Sequence, residues 1–127
     1  MKILVVDDNQ YLAATIQETL EGEGFETMSA NDGVAGYSTY LNFEPDLVIT
    51  DIQMPRKNGL EMMEDIRTHN PQVKTIYMSG DIYSFQGSLI EEKKKYPVDY
   101  FEKPFSFEAL KKQIFLMSTP SLQPVAV

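Results

Sequence analysis

The chain has 127 residues, enough for one domain with a substantial core and too few for two comfortable ones. Hydrophobic residues make up 43% and charged residues 24%, which argues against disorder, and the absence of cysteine excludes disulfides, thiolate nucleophiles and zinc–thiolate sites. Nineteen acidic against eleven basic residues give a formal charge of −8, which repels nucleic acid and anionic membranes.

The apolar run Ile3-Leu4-Val5-Val6 is too short for a signal-peptide core or a membrane span, so the expectation is a soluble, cytoplasmic protein without membrane insertion. That run reads as a buried strand, and it stops at Asp7 and Asp8. Asn9 is placed to cap a first helix, Tyr11 to Leu20, with Leu12, Ile16, Thr19 and Leu20 at helical spacing and Gly22 and Gly24 beyond its end. Phe25 to Ala30 reads as a weaker strand. Asn31-Asp32-Gly33 is a turn and cap, and Val34 to Phe43 a second helix, weakened by Gly36.

After Pro45, Leu47-Val48-Ile49-Thr50 has the β-branched character of a strand buried on both faces, and it ends at Asp51. Met54-Pro55 and Asn58-Gly59 separate it from a third helix, Leu60 to Thr68, with Leu60, Met63, Ile66 and Met62 inward. Val73 to Met78 is a fourth strand, followed by Ser79-Gly80. From Asp81 onward Gly87 and the scattered serines and tyrosines interrupt any period, so the reading is a mobile segment to Ser88 and then a short, late-starting fourth helix. Pro97 forces that helix to end before Tyr96. Val98 to Phe101 is a fifth strand. Phe105 to Met117 is a last helix capped by Ser106, with Leu110, Ile114 and Phe115 inward, and residues 118–127 read as a loose tail.

Five strands alternating with five helices predict an α/β domain, a doubly wound parallel sheet. In a parallel sheet the strand-end residues Asp7, Asp8, Asp51, Ser79 and Lys103 share one edge. If the first and third strands are neighbours, as in the flavodoxin-like (βα)5 order 2-1-3-4-5, the three carboxylates meet at the topological switch point. Two unit charges about 4 Å apart repel by about 4 kcal/mol at an effective dielectric near 20, so the cluster needs positive charge. Lys103 supplies one, and all-oxygen ligands without His or Cys suit Mg2+ for the rest. A carboxylate beside a cation-held phosphoryl group is a nucleophile, and Asp51 is the best placed. Ser79 and Lys103 complete the set by contacting phosphoryl oxygens.

Val5-Val6-Asp7-Asp8-Asn9, Asp51-Ile52-Gln53-Met54-Pro55 with Asn58-Gly59, Ser79-Gly80 and Lys103-Pro104-Phe105, in this order, closely resemble the receiver domain of two-component response regulators over about residues 2 to 117. The resemblance implies that Asp51 is the phosphoacceptor and that Asp7, Asp8 and the Gln53 backbone carbonyl join it in holding Mg2+. It implies too that Ser79 is the switch hydroxyl, Tyr100 the aromatic switch and Lys103 the phosphoryl contact, with a cis Lys103–Pro104 bond. A sensor histidine kinase or histidine phosphotransfer protein would donate the phosphoryl group, catalysis would be limited to the domain's own phosphorylation and dephosphorylation, and output would pass to a downstream partner. Gln53 sits where attacking water would pass and is placed to tune dephosphorylation. The chain departs from the family's usual pattern between Asp81 and Pro97, which bears on its output face.

Simpler roles exist for each residue: Asp7 and Asp8 as helix caps, Ser79 as a turn residue, Lys103 as a solvated charge, Tyr100 as core. Two other functions compete. A Mg2+-dependent phosphatase of the haloacid dehalogenase type uses a strand-end Asp but wants an acid two residues later, where this chain has Gln53. A receiver-like scaffold that is never phosphorylated is the other.

Overall fold

In the computed structural model, which describes residues 1–118, the five apolar runs form one parallel sheet in the order β2-β1-β3-β4-β5. The strands are β1 (Lys2–Val6), β2 (Glu26–Ala30), β3 (Leu47–Asp51), β4 (Lys74–Ser79) and β5 (Val98–Glu102). Five helices connect and follow them: α1 (Gln10–Gly22), α2 (Gly33–Phe43), α3 (Gly59–Arg67), α4 (Ile82–Lys95) and α5 (Phe107–Ser118). Successive side chains of a strand face opposite sides of the sheet, and the core divides accordingly. Ile3, Val5, Leu47, Ile49, Ile76 and Met78 meet α1 and α5 through Ala13, Ile16, Leu20, Leu110 and Ile114. Leu4, Val6, Val48 and Tyr77 face the other way, onto Tyr40, Phe43, Met62, Met63, Ile66 and Leu89 of α2, α3 and α4. β3 is buried along its whole length. At about 1.5–3 kcal/mol for each large apolar side chain removed from water, these two layers fix the register of the central strands.

Helix boundaries follow local chemistry. Asn9, Asp32 and Asn58 each accept a backbone N–H of the first turn, and Asn58 with Glu61 forms a capping box. Ser106 Oγ accepts the Ala109 N–H at 3.1 Å, the cap expected for α5.

Three expectations need correction. α4 does not start late: it runs from Ile82, because the Asp81 side chain accepts the Ser84 N–H at 3.2 Å and caps it. Buried Ile82 and Leu89 with half-buried Phe85 make an apolar stripe at i, i+3 and i+7, and Gly87 and the serines fall on the exposed side. Its end is as expected, with Tyr96 extended before Pro97. Phe115 is not inward; it is 66% exposed, because Leu110 and Ile114 occupy the buried face one turn apart and the next residue turns away. Ser118 closes α5 instead of opening a tail, and the rest of that tail lies outside the described residues. Among the described residues no helix is long and apolar enough to cross a membrane.

Candidate functional site

Two adjacent strands end in carboxylates at the same edge. β1 pairs with β3 so that Val6 lies opposite Thr50, which places Asp7 beside Asp51. One carboxylate oxygen from each of Asp7, Asp8 and Asp51 lies within 4.8 Å of the others. Asp7 is fully buried and Asp51 nearly so, while Asp8 is exposed. Lys103 Nζ stands 2.9 Å from Asp7 Oδ2 and 3.5 Å from Asp51 Oδ2, so one ammonium pairs with two of the three carboxylates. Burial, reinforced by the Asp7 charge and opposed by Lys103, pushes the Asp51 carboxyl up to about 6. The cluster therefore carries more negative charge than Lys103 neutralises. A divalent cation held by carboxylate oxygens fits that deficit and that donor set.

The backbone around Asp51 is tightly held. Its carbonyl accepts the Thr50 hydroxyl at 2.9 Å, Ile52 N–H donates to Met78 O at 2.9 Å, and Gly59 N–H donates to Ile52 O at 2.8 Å. A Cβ at Gly59 would overlap the Asp51 carbonyl oxygen, so only glycine permits α3 to start this close to Asp51. Sequence reasoning read Asn58-Gly59 as a turn and missed this contact; an Asn-Gly pair opening a helix was its available signal.

Ser79 is fully buried at the end of β4. Its hydroxyl accepts the Asp81 N–H at 2.9 Å, and its carbonyl accepts the Lys103 N–H at 2.8 Å, which ties the end of β4 to the segment carrying the lysine. The Lys103–Pro104 bond is cis, as expected. Gln53 is exposed in the loop after Asp51. Tyr100 is half-buried on β5, opposite Tyr77 and one register row before the row of Asp51, Met78 and Phe101, with Lys93 Nζ 5.6 Å from its ring centre. His69 Nε2 lies 2.6 Å from the Tyr37 hydroxyl.

A five-stranded doubly wound sheet with acids from two neighbouring strands and a lysine from a third closing over them defines a receiver-type phosphoacceptor domain. The model of the response regulator receiver domain matches residues 3–115, and the chain belongs to that family. It is 32% identical over 117 residues to the chemotaxis protein CheY of Listeria monocytogenes, covering 88% of this chain and 97% of that protein. It is 29% identical over 110 residues to the transcriptional regulatory protein RprY of Bacteroides fragilis, covering 87% of this chain and 46% of RprY. The chain spans less than half the length of RprY and of two further regulatory relatives. Among solved structures, the response regulator TrrA of Thermotoga maritima, in complex with Mg2+ and BeF, is 30% identical with a TM-score of 0.79, covering 91% of this chain and 97% of that one. This membership favours a receiver of two-component signalling over the phosphatase and scaffold alternatives.

Proposed function

We propose that Asp51 accepts a phosphoryl group from a phosphohistidine on a sensor histidine kinase or a histidine phosphotransfer protein. An Asp51 carboxylate oxygen attacks phosphorus, the P–O bond forms as the P–N bond breaks, and the imidazole, already protonated on its other nitrogen, takes the bonding pair and leaves neutral. Asp7, Asp8, Asp51 and the Gln53 carbonyl would hold Mg2+, and bound Mg2+ supplies neutralisation of charge on the phosphoryl oxygens. Lys103 Nζ, already between Asp7 and Asp51, places its positive charge where that negative charge gathers, and the Ser79 hydroxyl meets another phosphoryl oxygen. Gln53, exposed beside the nucleophile, stands on the path of hydrolytic water and tunes how long the aspartyl phosphate lasts. The observation that carries this reading is the meeting of three carboxylate oxygens within 4.8 Å under one lysine.

The domain catalyses its own phosphorylation and dephosphorylation and no other reaction. Phosphorylation draws on the Ser79 hydroxyl and Lys103, biases the conformation of residues 79–105, with Tyr100 as the aromatic reporter, and changes which downstream protein binds. Its acidic balance and lack of cysteine suit action in the cytoplasm through a protein partner, with no direct nucleic-acid contact. Incubation with acetyl phosphate and Mg2+ followed by intact mass tests the proposal. One added phosphoryl group, lost in Asp51→Ala, supports it; steady phosphate release from many esters or no modification at all refutes it.

A further inference from the structure

Residues 52–58 join the nucleophile to α3 and carry Gln53. Their ends are pinned by buried Ile52 and by Gly59, yet Gln53, Pro55 and Arg56 in the middle are exposed. Arg56 has φ +70°, in the left-handed region that a side chain rarely adopts. A loop keeps such a conformation only when neighbours impose it.

The neighbour is the first turn of α2. A Cβ added to Gly33 would overlap the Lys57 carbonyl oxygen and come within 2.8 Å of the Lys57 carbonyl carbon and Cβ. The glycines with left-handed φ do not include Gly33, so its missing side chain serves close approach and not a turn. Asp32, the buried cap of α2, adds an ion pair, its Oδ2 3.9 Å from Arg56 Nε. With the Arg56 side chain 72% exposed, that pair is a weak tie, and the backbone contact at Gly33 is the stronger constraint.

If the two surfaces are forced apart, the loop gives way first. One turn into α2, Gly36 lets the helix lie against the sheet and α3: a Cβ there would fall 2.5 Å from Met62 Sδ and 3.1 Å from Val6 Cγ1. Buried Tyr40 and Phe43 anchor the rest of the helix. The loop is held more lightly, by half-buried Met54 at the margin of the core and by the Lys57–Asp65 ion pair.

We propose that Gly33 is a positioning residue for the cation site: it lets the first turn of α2 press on Lys57 and so fixes the Gln53 carbonyl relative to Asp51. This inference rests on the reading that the Gln53 carbonyl helps hold a divalent cation. Gly33→Ala is the direct test, and Gly36→Ala is its control, because it strains the same helix away from the loop. Asp32→Ala, which uncaps α2 without adding an atom, is the second variant should Gly33→Ala fold poorly. Amide exchange at residues 53–58 is measured on metal-free protein, and Mg2+ affinity by calorimetric titration.

Gly33→Ala is expected to speed exchange at 53–58 and weaken Mg2+ binding about tenfold, in line with the loss of other supports behind metal ligands. Asp32→Ala moves both in the same direction by a smaller factor. Gly36→Ala lowers the melting temperature and leaves both unchanged, and Arg56→Ala changes affinity by less than about twofold. Wild-type protein that binds Mg2+ while Gly33→Ala binds it equally well overturns the positioning role alone, as does an equal loss in Gly33→Ala and Gly36→Ala. Wild-type protein that takes up no Mg2+ overturns the functional reading as well.

Discussion

Asp7 and Lys103 are separated by 96 residues in sequence, and Lys103 Nζ lies 2.9 Å from Asp7 Oδ2. The same ammonium reaches Asp51 Oδ2 at 3.5 Å, so it is shared between Asp7 and the proposed phosphoacceptor. A charge in that position stabilises negative charge that grows as phosphorus is transferred, and losing one such preorganised donor costs roughly 100-fold in rate. Lys103→Met is therefore expected to slow modification by acetyl phosphate about 100-fold. Mg2+ affinity should not fall, because removing a cation leaves the three carboxylates more negative. Rates from intact mass and affinities from calorimetry separate the two effects; weakened Mg2+ binding would show that the lysine orders the carboxylates instead.

The raised pKa of Asp51 ties stability to pH. Its folded value of about 6 lies above the unfolded value of 3.8, so between those values the native state binds the proton more tightly. Metal-free protein should lose stability as pH rises through that window, by about 3 kcal/mol at most, and level off above it. Asp51→Asn removes the titration and should be the more stable protein at pH 7, with the difference vanishing near pH 4. Urea unfolding of both proteins in EDTA across pH 4 to 7 checks this. Mg2+ at 100 times its dissociation constant stabilises the chain that retains the carboxylate by about 2.7 kcal/mol, which should bring the two proteins close to equal stability at pH 7.

α4 is held by one carboxylate as well as by its apolar contacts. Glu92 Oε1 accepts the Tyr77 hydroxyl at 2.6 Å and Arg67 Nη1 at 2.5 Å, while Arg67 Nη2 donates to Thr75 Oγ1 at 3.1 Å and the guanidinium lies 4.2 Å from the Tyr96 ring centre. Burial holds the Tyr77 phenol far above its ordinary pKa, so it stays a donor. The Arg67 side chain is only 5% exposed, and truncating Glu92 leaves it without its counter-charge. Glu92→Ala should destabilise the protein by about 3 kcal/mol and speed amide exchange along α4 more than along α3. Glu92→Gln, which keeps acceptors for both donors, should cost less. Equal exchange in both helices would mean that Glu92 does not hold α4 in particular.

The site was legible because its chemistry sits where short apolar runs stop. Ile3 to Val6 and Leu47 to Thr50 can be read as buried strands from composition, and parallel topology then brings Asp7, Asp8 and Asp51 together without knowledge of any side-chain contact. What stayed hidden depends on contacts between distant segments. Arg67 and Glu92 lie 25 residues apart, and nothing local shows that they meet over Tyr77. Phe115 was misplaced because Ile114 and Phe115 are both apolar, and the sequence does not say which of two neighbours takes the buried face. The start of α4 was missed because glycine and serine mask a period that only three residues carry, Ile82, Phe85 and Leu89.

Glycines show the same limit in opposite signs. Gly36 and Gly87 both lie inside helices, and propensity alone assigns each a penalty of about 1 kcal/mol relative to alanine. Their surroundings differ. A Cβ at Gly87 meets nothing within 4 Å, so Gly87→Ala should stabilise the protein by about 0.5–1 kcal/mol and slow exchange in the first half of α4. A Cβ at Gly36 falls against Met62 Sδ and both Val6 methyl carbons, and overpacking of that kind costs about 1–3 kcal/mol. The propensity gain offsets part of this, which leaves Gly36→Ala destabilised by about 1 kcal/mol. Thermal melts of the two variants beside wild type should therefore move in opposite directions. Parallel shifts would mean that helix propensity outweighs the packing of α2 against Val6 and Met62, and Gly36 would then lose its role as the anchor of that helix.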